Sequence, residues 1–228
     1  MKSSNDSSGV RYPTQGFKTM GVGVTSQGYP PHPYETFSYD LALYDAKISD
    51  FNVVPYTSVL PIDMEFISVS EAQAGPSWVH GAVLEVIMAG VGFEYQDQGS
   101  VGQVGVRRHG RNYVVDTDGP VMAGGSMLGI VTGVKDKSGN VVGGYVAEYV
   151  GIYSSYIGPD SASSDGQKQL NESIDHELSI RGYDITSGNR SFTDIAYVEI
   201  HPEESEQKYA YTLSAIGFTR FSYAAAPQ

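Results

Sequence analysis

The sequence of 228 residues contains no cysteine and is poor in basic residues. Without cysteine there are no disulfides, thiol nucleophiles or zinc–thiolate sites, and nothing points to an oxidising compartment. The 14 Lys and Arg residues stand against 26 Asp and Glu, which gives a net charge of −12. A chain that repels phosphates argues against a nucleic-acid partner. Its acidic surface suits a cationic small substrate, or it serves solubility alone.

Long hydrophobic runs and leader signals are also lacking. The first nine residues, MKSSNDSSG, have no apolar core, and the longest uncharged stretch, residues 119–134, falls short of a bilayer span. We therefore expect a cytoplasmic protein without a membrane partner, with a disordered tail over residues 1–10. The five histidines, at positions 32, 80, 109, 176 and 201, show no HxH or HxxxH spacing, so no metal site is expected.

The hydrophobic pattern predicts a single α+β domain over residues 1–228. Alternating or β-branched runs predict strands at residues 18–25, 51–56, 81–88, 128–134, 141–150, 194–200 and 209–218. One helix is predicted after an N-cap at Thr36, with an apolar row at Phe37, Leu41, Tyr44 and Ile48. A second helix carries Leu170, Ile174 and Leu178 behind a polar entry at residues 160–166. The basic cluster of Arg107, Arg108, His109 and Arg111 is expected at a solvated loop or hairpin tip.

Several stretches resemble the pyruvoyl-dependent arginine decarboxylases, and most closely their bacterial, chlamydial-type branch. They are YETFSYD (residues 34–40), KI (47–48), DFNVVPYTSVLP (50–61), HGAVLEVIMAG (80–90), AEYV (147–150) and LSAIGF (213–218). The resemblance runs from about residue 11 to residue 221. Residues 93–119 depart from it by their length, so nothing is carried over there.

The resemblance implies self-cleavage between Thr57 and Ser58, into a small chain of residues 1–57 and a large chain of residues 58–228. The Ser58 hydroxyl would attack the Thr57 carbonyl carbon, and elimination followed by hydrolysis would leave a pyruvoyl group at position 58. This covalent cofactor would form a Schiff base with L-arginine and accept the electrons released with CO₂, giving agmatine. The family further implies a four-layer αββα sandwich, a homotrimer with active sites between neighbours, and a role in acid resistance or polyamine supply.

The resemblance also implies a role for individual residues of the site. Asn52 would stabilise the oxyanion formed when Ser58 attacks; its alternative role is that of a turn residue opening the strand. Glu148 lies within an apolar strand, where burial of a carboxyl group raises its pKa, and it would protonate the substrate Cα; the alternative is an outward-facing carboxylate. Asp40 would pair with the substrate guanidinium, and as a lone residue it would favour the helix dipole. Leu43 and Val59 would line the aliphatic stem, although core packing explains them equally well.

Two other readings stay open. The chain could keep the pyruvoyl chemistry and act on another amino acid, such as histidine. Asp40 discriminates between these substrates, because a carboxylate at the end of the pocket favours a long cation. The chain could also be a non-catalytic oligomeric homologue. The intact Thr57–Ser58 pair, Asn52 and Glu148 speak against that third reading.

Overall fold

The computed structural model describes residues 10–27, 37–95, 101–108, 111–201, 203 and 208–224. Within them the protein is mixed α/β, rich in strands and with few helices. The strands are β1 (Val10–Thr25), β2 (Asn52–Pro55), β3 (Val59–Leu60), β4 (Glu65–Ile67), β5 (Val83–Glu94), β6 (Val101–Arg108), β7 (Arg111–Asp118), β8 (Ala123–Lys135), β9 (Val141–Tyr153), β10 (Asn189–Phe192), β11 (Ala196–Glu199) and β12 (Tyr209–Ala224). The helices are α1 (Phe37–Asp45), α2 (Val69–Gln73) and α3 (Pro159–Ile180).

The strands form two sheets that pack face to face. The large sheet has seven strands in the order β4-β1-β12-β5-β6-β7, with β2 parallel to β5, and the small sheet has five in the order β10-β8-β9-β3, with β11 beside β8. A buried apolar layer joins the two sheets; it consists of Leu60, Ile87, Ala89, Leu128, Ile130, Val146, Ile216 and Phe218. Helix α1 covers the outer face of the large sheet, and α3 covers the outer face of the small sheet.

Helix α3 confirms the predicted row, because Leu170, Ile174 and Leu178 are all buried against the small sheet. Its predicted start was wrong. The helix already begins at Pro159, whose fixed φ favours the first helical turn, so the polar residues 160–166 lie within it.

Helix α1 forms where expected, but its predicted apolar face was wrong. Phe37, Leu41 and Tyr44 are exposed, and the helix instead buries Ser38, Ala42 and Leu43 against β1. Ile48, the fourth residue of the predicted row, is buried but lies beyond the end of the helix. Glycines of β1 explain this orientation. A Cβ at Gly21 would lie 2.1 Å from the Ala42 carbonyl oxygen, and one at Gly23 would lie 2.1 Å from that of Ser38. Small residues on both sides let the helix backbone contact the strand directly. The predicted N-cap, Thr36, lies outside the described residues.

Residues 93–119 are largely accounted for by the β6–β7 hairpin at the edge of the large sheet. Arg108 and Arg111 are exposed at the end of this hairpin, which confirms the expectation for these two residues, and His109 lies outside the described residues. Arg107 is not solvated as expected: its guanidinium donates to the Tyr39 hydroxyl of α1 over 3.1 Å and lies 5.1 Å from the centre of that ring. No helix in the described part of the chain is long and apolar enough to cross a membrane.

Candidate active site

The predicted scissile bond crosses from one sheet to the other. Before it, the Tyr56 amide donates to the Val86 carbonyl in the large sheet over 2.6 Å. After it, the Ser58 carbonyl accepts from the Val146 amide in the small sheet over 2.7 Å. Thr57 is exposed between these two anchors, whereas Ser58 is buried at a bend just before β3. The bond is therefore fixed on both sides, as a nucleophile attacking its own backbone requires.

Glu148 lies on β9, the strand that also holds Ser58. Its side chain is 3 % exposed, so the alternative of an outward-facing carboxylate was wrong. Alternation along β9 puts Glu148 on the same face as Val146, toward the layer between the sheets. Two residues of a strand span roughly 7 Å. The structure thus brings Glu148 near Ser58 along one strand and keeps it out of water.

Asn52 lies at the far end of β2 from the scissile bond. Its side-chain amide donates to the Gly81 carbonyl over 2.8 Å, and its backbone amide donates to Ala82 over 2.8 Å. These contacts are those of a turn residue that opens the strand, the alternative role of Asn52. The prediction that Asn52 and Ser58 share a strand was wrong, since β2 ends at Pro55, roughly 10 Å from Asn52 at 3.3 Å per residue.

The residues predicted to bind substrate lie in different layers of the chain. Asp40 is exposed on α1, on the outer face of the large sheet, while Ser58 and Val59 lie beside the small sheet. Leu43 is 8 % exposed in the core beneath α1. Val59 is 60 % exposed, as a residue lining a pocket would be. One chain therefore does not bring Asp40 to Ser58, because the large sheet separates them.

Sequence reasoning missed Tyr145, which lies opposite Val59 in the β3–β9 ladder. Burial raises the pKa of the Tyr145 hydroxyl, and a hydrogen bond with the Ser58 side chain lowers that pKa in part. The negative charge of Glu177 raises this pKa as well, and the positive charge of Arg181 lowers it. Tyr145 is placed beside Ser58 by the register in which β3 pairs with β9. A strand of two residues cannot be recognised from its sequence, so this register could not be predicted.

A small pocket of about 120 Å³ opens beside Val59 and Tyr145, and Leu178 and Arg181 of α3 close it from the other side. Two larger cavities, of about 400 and 430 Å³, are lined by other residues around Thr193 and Asp194. The residues that line these two cavities include neither Ser58 nor Glu148.

The profile of the family described as pyruvoyl-dependent arginine decarboxylase matches residues 17–122, a range that includes the predicted cleavage site and the β6–β7 hairpin. The chain is similar to "Pyruvoyl-dependent arginine decarboxylase AaxB" of Chlamydia caviae, with 39 % identity over 216 residues, or 95 % of each chain. The protein of the same name from Chlamydia pneumoniae is 38 % identical over 216 residues, again 95 % of each. That of Chlamydia trachomatis serovar D is 39 % identical over 217 residues, or 95 % of this chain and 96 % of that protein.

Proposed function

This chain belongs to the pyruvoyl-dependent arginine decarboxylase family, and we propose on that premise that Ser58 is the source of its pyruvoyl group. The protein decarboxylates L-arginine to agmatine and CO₂ with a covalent pyruvoyl cofactor made by self-cleavage. The observation that carries the choice of Ser58 is its burial at a bend directly after an exposed Thr57, with the Tyr56 amide bound to the large sheet and the Ser58 carbonyl bound to the small sheet. We take the products to be residues 1–57 and 58–228.

The surroundings of Ser58 fit such a group. Its carbonyl is held by β9, and the neighbouring face of that strand is apolar apart from Glu148. When present, the pyruvoyl ketone supplies the electron sink that decarboxylation needs. The chain's own part is then to hold the substrate, exclude water and deliver a proton. Glu148 suits the proton transfer because its carboxyl group is dry and two residues from the strand position that holds Ser58.

At the other end of the substrate, the Asp40 carboxylate is assigned to the guanidinium, which it can bind through two parallel hydrogen bonds. Val59, and Leu43 from beneath α1, are assigned to the aliphatic stem. Asn52 is assigned to the oxyanion of self-cleavage. Because β2 ends at Pro55 and leaves Asn52 far from the Ser58 of its own chain, this role requires Asn52 to act on Ser58 of a neighbouring chain.

The separation of Asp40 from Ser58 supports an assembly in which neighbouring chains complete each other's sites. We assign a cytoplasmic homotrimer, with acid resistance or polyamine supply as its role. The arrangement of α1, large sheet, small sheet and α3 supports the four-layer αββα sandwich as the protomer fold. If sedimentation or light scattering gives the mass of a single protomer, the proposed trimer is wrong.

The test is the intact mass of purified wild-type protein beside Ser58→Ala and the control Ser126→Ala. Ser126 is also fully buried, and its hydroxyl has no hydrogen-bond partner within the described residues, so its removal costs little. Wild type and Ser126→Ala should appear as two fragments, the larger lacking a free serine at its start. Ser58→Ala should stay a single inactive chain. An uncut wild type that releases CO₂ from arginine would contradict the proposal, and an uncut, inactive one would favour the non-catalytic homologue.

A further inference from the structure

Tyr145 is buried beside Ser58, on the face of β9 that packs against α3. Only 4 % of the residue is exposed, and its hydroxyl forms a hydrogen bond with the side chain of Ser58. Ser58 lies just outside β3, at a bend, so its side chain is released from the strand alternation that points Leu60 into the inter-sheet layer. The bend allows the Ser58 side chain to reach Tyr145, whose ring lies on the α3 face of the small sheet, opposite to the face of Leu60.

The ring of Tyr145 is fixed from the helix side. The guanidinium of Arg181 lies 5.0 Å from the ring centre, which is within cation–π range. Arg181 is itself held at the end of α3 by an ion pair with Glu177 and by a 3.1 Å hydrogen bond to the Glu177 carbonyl. Leu178 packs against the same cluster. A ring held this firmly presents its hydroxyl to Ser58 in one orientation.

We propose that the Tyr145 hydroxyl holds the Ser58 hydroxyl for attack on the Thr57 carbonyl, and that it is a catalytic residue of self-cleavage. This inference rests on the proposed function. In the first step the Ser58 Oγ–C bond forms and the Thr57 C–N bond breaks, while the Oγ proton moves to the Ser58 nitrogen. In the second step the Cα proton is lost and the Cβ–Oγ bond breaks, leaving Oγ on the Thr57 carboxylate. Water then replaces the nitrogen of the dehydroalanine, and ammonia leaves.

Tyr145 acts in the first of these steps, because only there does the serine hydroxyl proton move. A tyrosine hydroxyl is neutral near pH 7, and burial raises the pKa of Tyr145 further, so it can accept the hydrogen bond of Ser58 and donate its own proton. A neutral phenol that accepts and donates together passes a proton on without forming a buried ion. That avoids the cost of creating a charge in a buried region.

The test compares Tyr145→Phe with Tyr149→Phe. Tyr149 lies four residues on, on the same face of β9, with the same 4 % exposure, but its hydroxyl bonds to that of Tyr153 over 2.6 Å. Both variants keep their rings and lose one buried hydroxyl. Fragment formation from freshly purified uncut chain should slow roughly 10–100-fold in Tyr145→Phe, the usual effect of a misplaced reacting group, and stay near wild type in Tyr149→Phe. Equal rates in the two variants, with equal melting temperatures, would overturn the proposal.

Hydroxylamine separates the steps, because it cuts an ester but not an amide. If Tyr145 acts in ester formation, hydroxylamine should not restore cutting of Tyr145→Phe at the wild-type rate. Restoration would assign the tyrosine to elimination and refute the stated role. If Tyr145→Phe does not fold, fluorotyrosine placed at 145 keeps the shape and alters only the acidity, and an unchanged cutting rate would then refute the proposal. An uncut wild type would instead refute the proposed function itself.

Discussion

Replacing Glu148 by Gln tests the decarboxylation chemistry while leaving the packing intact. The side chain is 3 % exposed, so water cannot substitute for a lost proton donor, and the amide fills the same volume without a cavity. Loss of a general acid costs about 10²- to 10⁴-fold, which corresponds to about 3–5 kcal/mol of transition-state free energy. We expect kcat for CO₂ release to fall by that factor while cutting at Ser58 continues.

The assay follows both events in one preparation. A denaturing gel gives the cut fraction, and CO₂ release is normalised to that fraction. Glu148→Asp is the matched control, since it keeps the proton but sets it back by one methylene, and we expect it to retain more activity than Glu148→Gln. Wild-type turnover in fully cut Glu148→Gln would remove Glu148 from the mechanism. An uncut Glu148→Gln would show that the residue also supports processing, against the division of labour proposed here.

Two further predictions concern substrate choice and helix docking. Asp40→Asn should lower kcat/KM for arginine by an amount that corresponds to about 2–4 kcal/mol of transition-state binding, because it removes only the counter-charge of the guanidinium. Self-cleavage should not slow. Unchanged arginine turnover, or faster release of CO₂ from histidine than from arginine, would refute the assignment of Asp40 to the guanidinium. Gly21→Ala should cost about 1–3 kcal/mol and lower the melting temperature, because its Cβ would lie 2.1 Å from the Ala42 carbonyl oxygen. A melting curve identical to wild type would mean that α1 does not rest on β1 as described.

Local sequence was enough to predict part of each of the strands β1, β5, β8, β9 and β12 and both longer helices, but not the strands β6 and β7. Its limits appear wherever the answer depends on a partner element. The row at Phe37, Leu41 and Tyr44 satisfies the spacing rule for a buried helix face, yet two glycines on β1 decide which face is buried. Periodicity cannot report this, because it describes one helix at a time and says nothing about how closely a strand lets the helix backbone approach.

The site shows the same division. Ser58 and Glu148 could be proposed from the sequence because a motif and a carboxylate inside an apolar strand are both visible in the order of residues. Tyr145 could not, since it owes its place to the register of a two-residue strand and to the bend at Ser58. The separation of Asp40 from Ser58 could not be predicted either. It arises because α1 packs on the large sheet while β3, which follows Ser58, pairs in the small sheet.

Strand β1 runs between β4 and β12, and its pairing with β12 extends from Val10 opposite Ala224 to Thr25 opposite Tyr209. A cut at Thr57 would leave this inner strand on a separate polypeptide that only hydrogen bonds and packing retain. Renaturation after cutting would then become a bimolecular reaction whose rate depends on protein concentration, whereas the uncut chain folds unimolecularly. The lifetime of the mature protein would be set by how slowly β1 leaves the sheet.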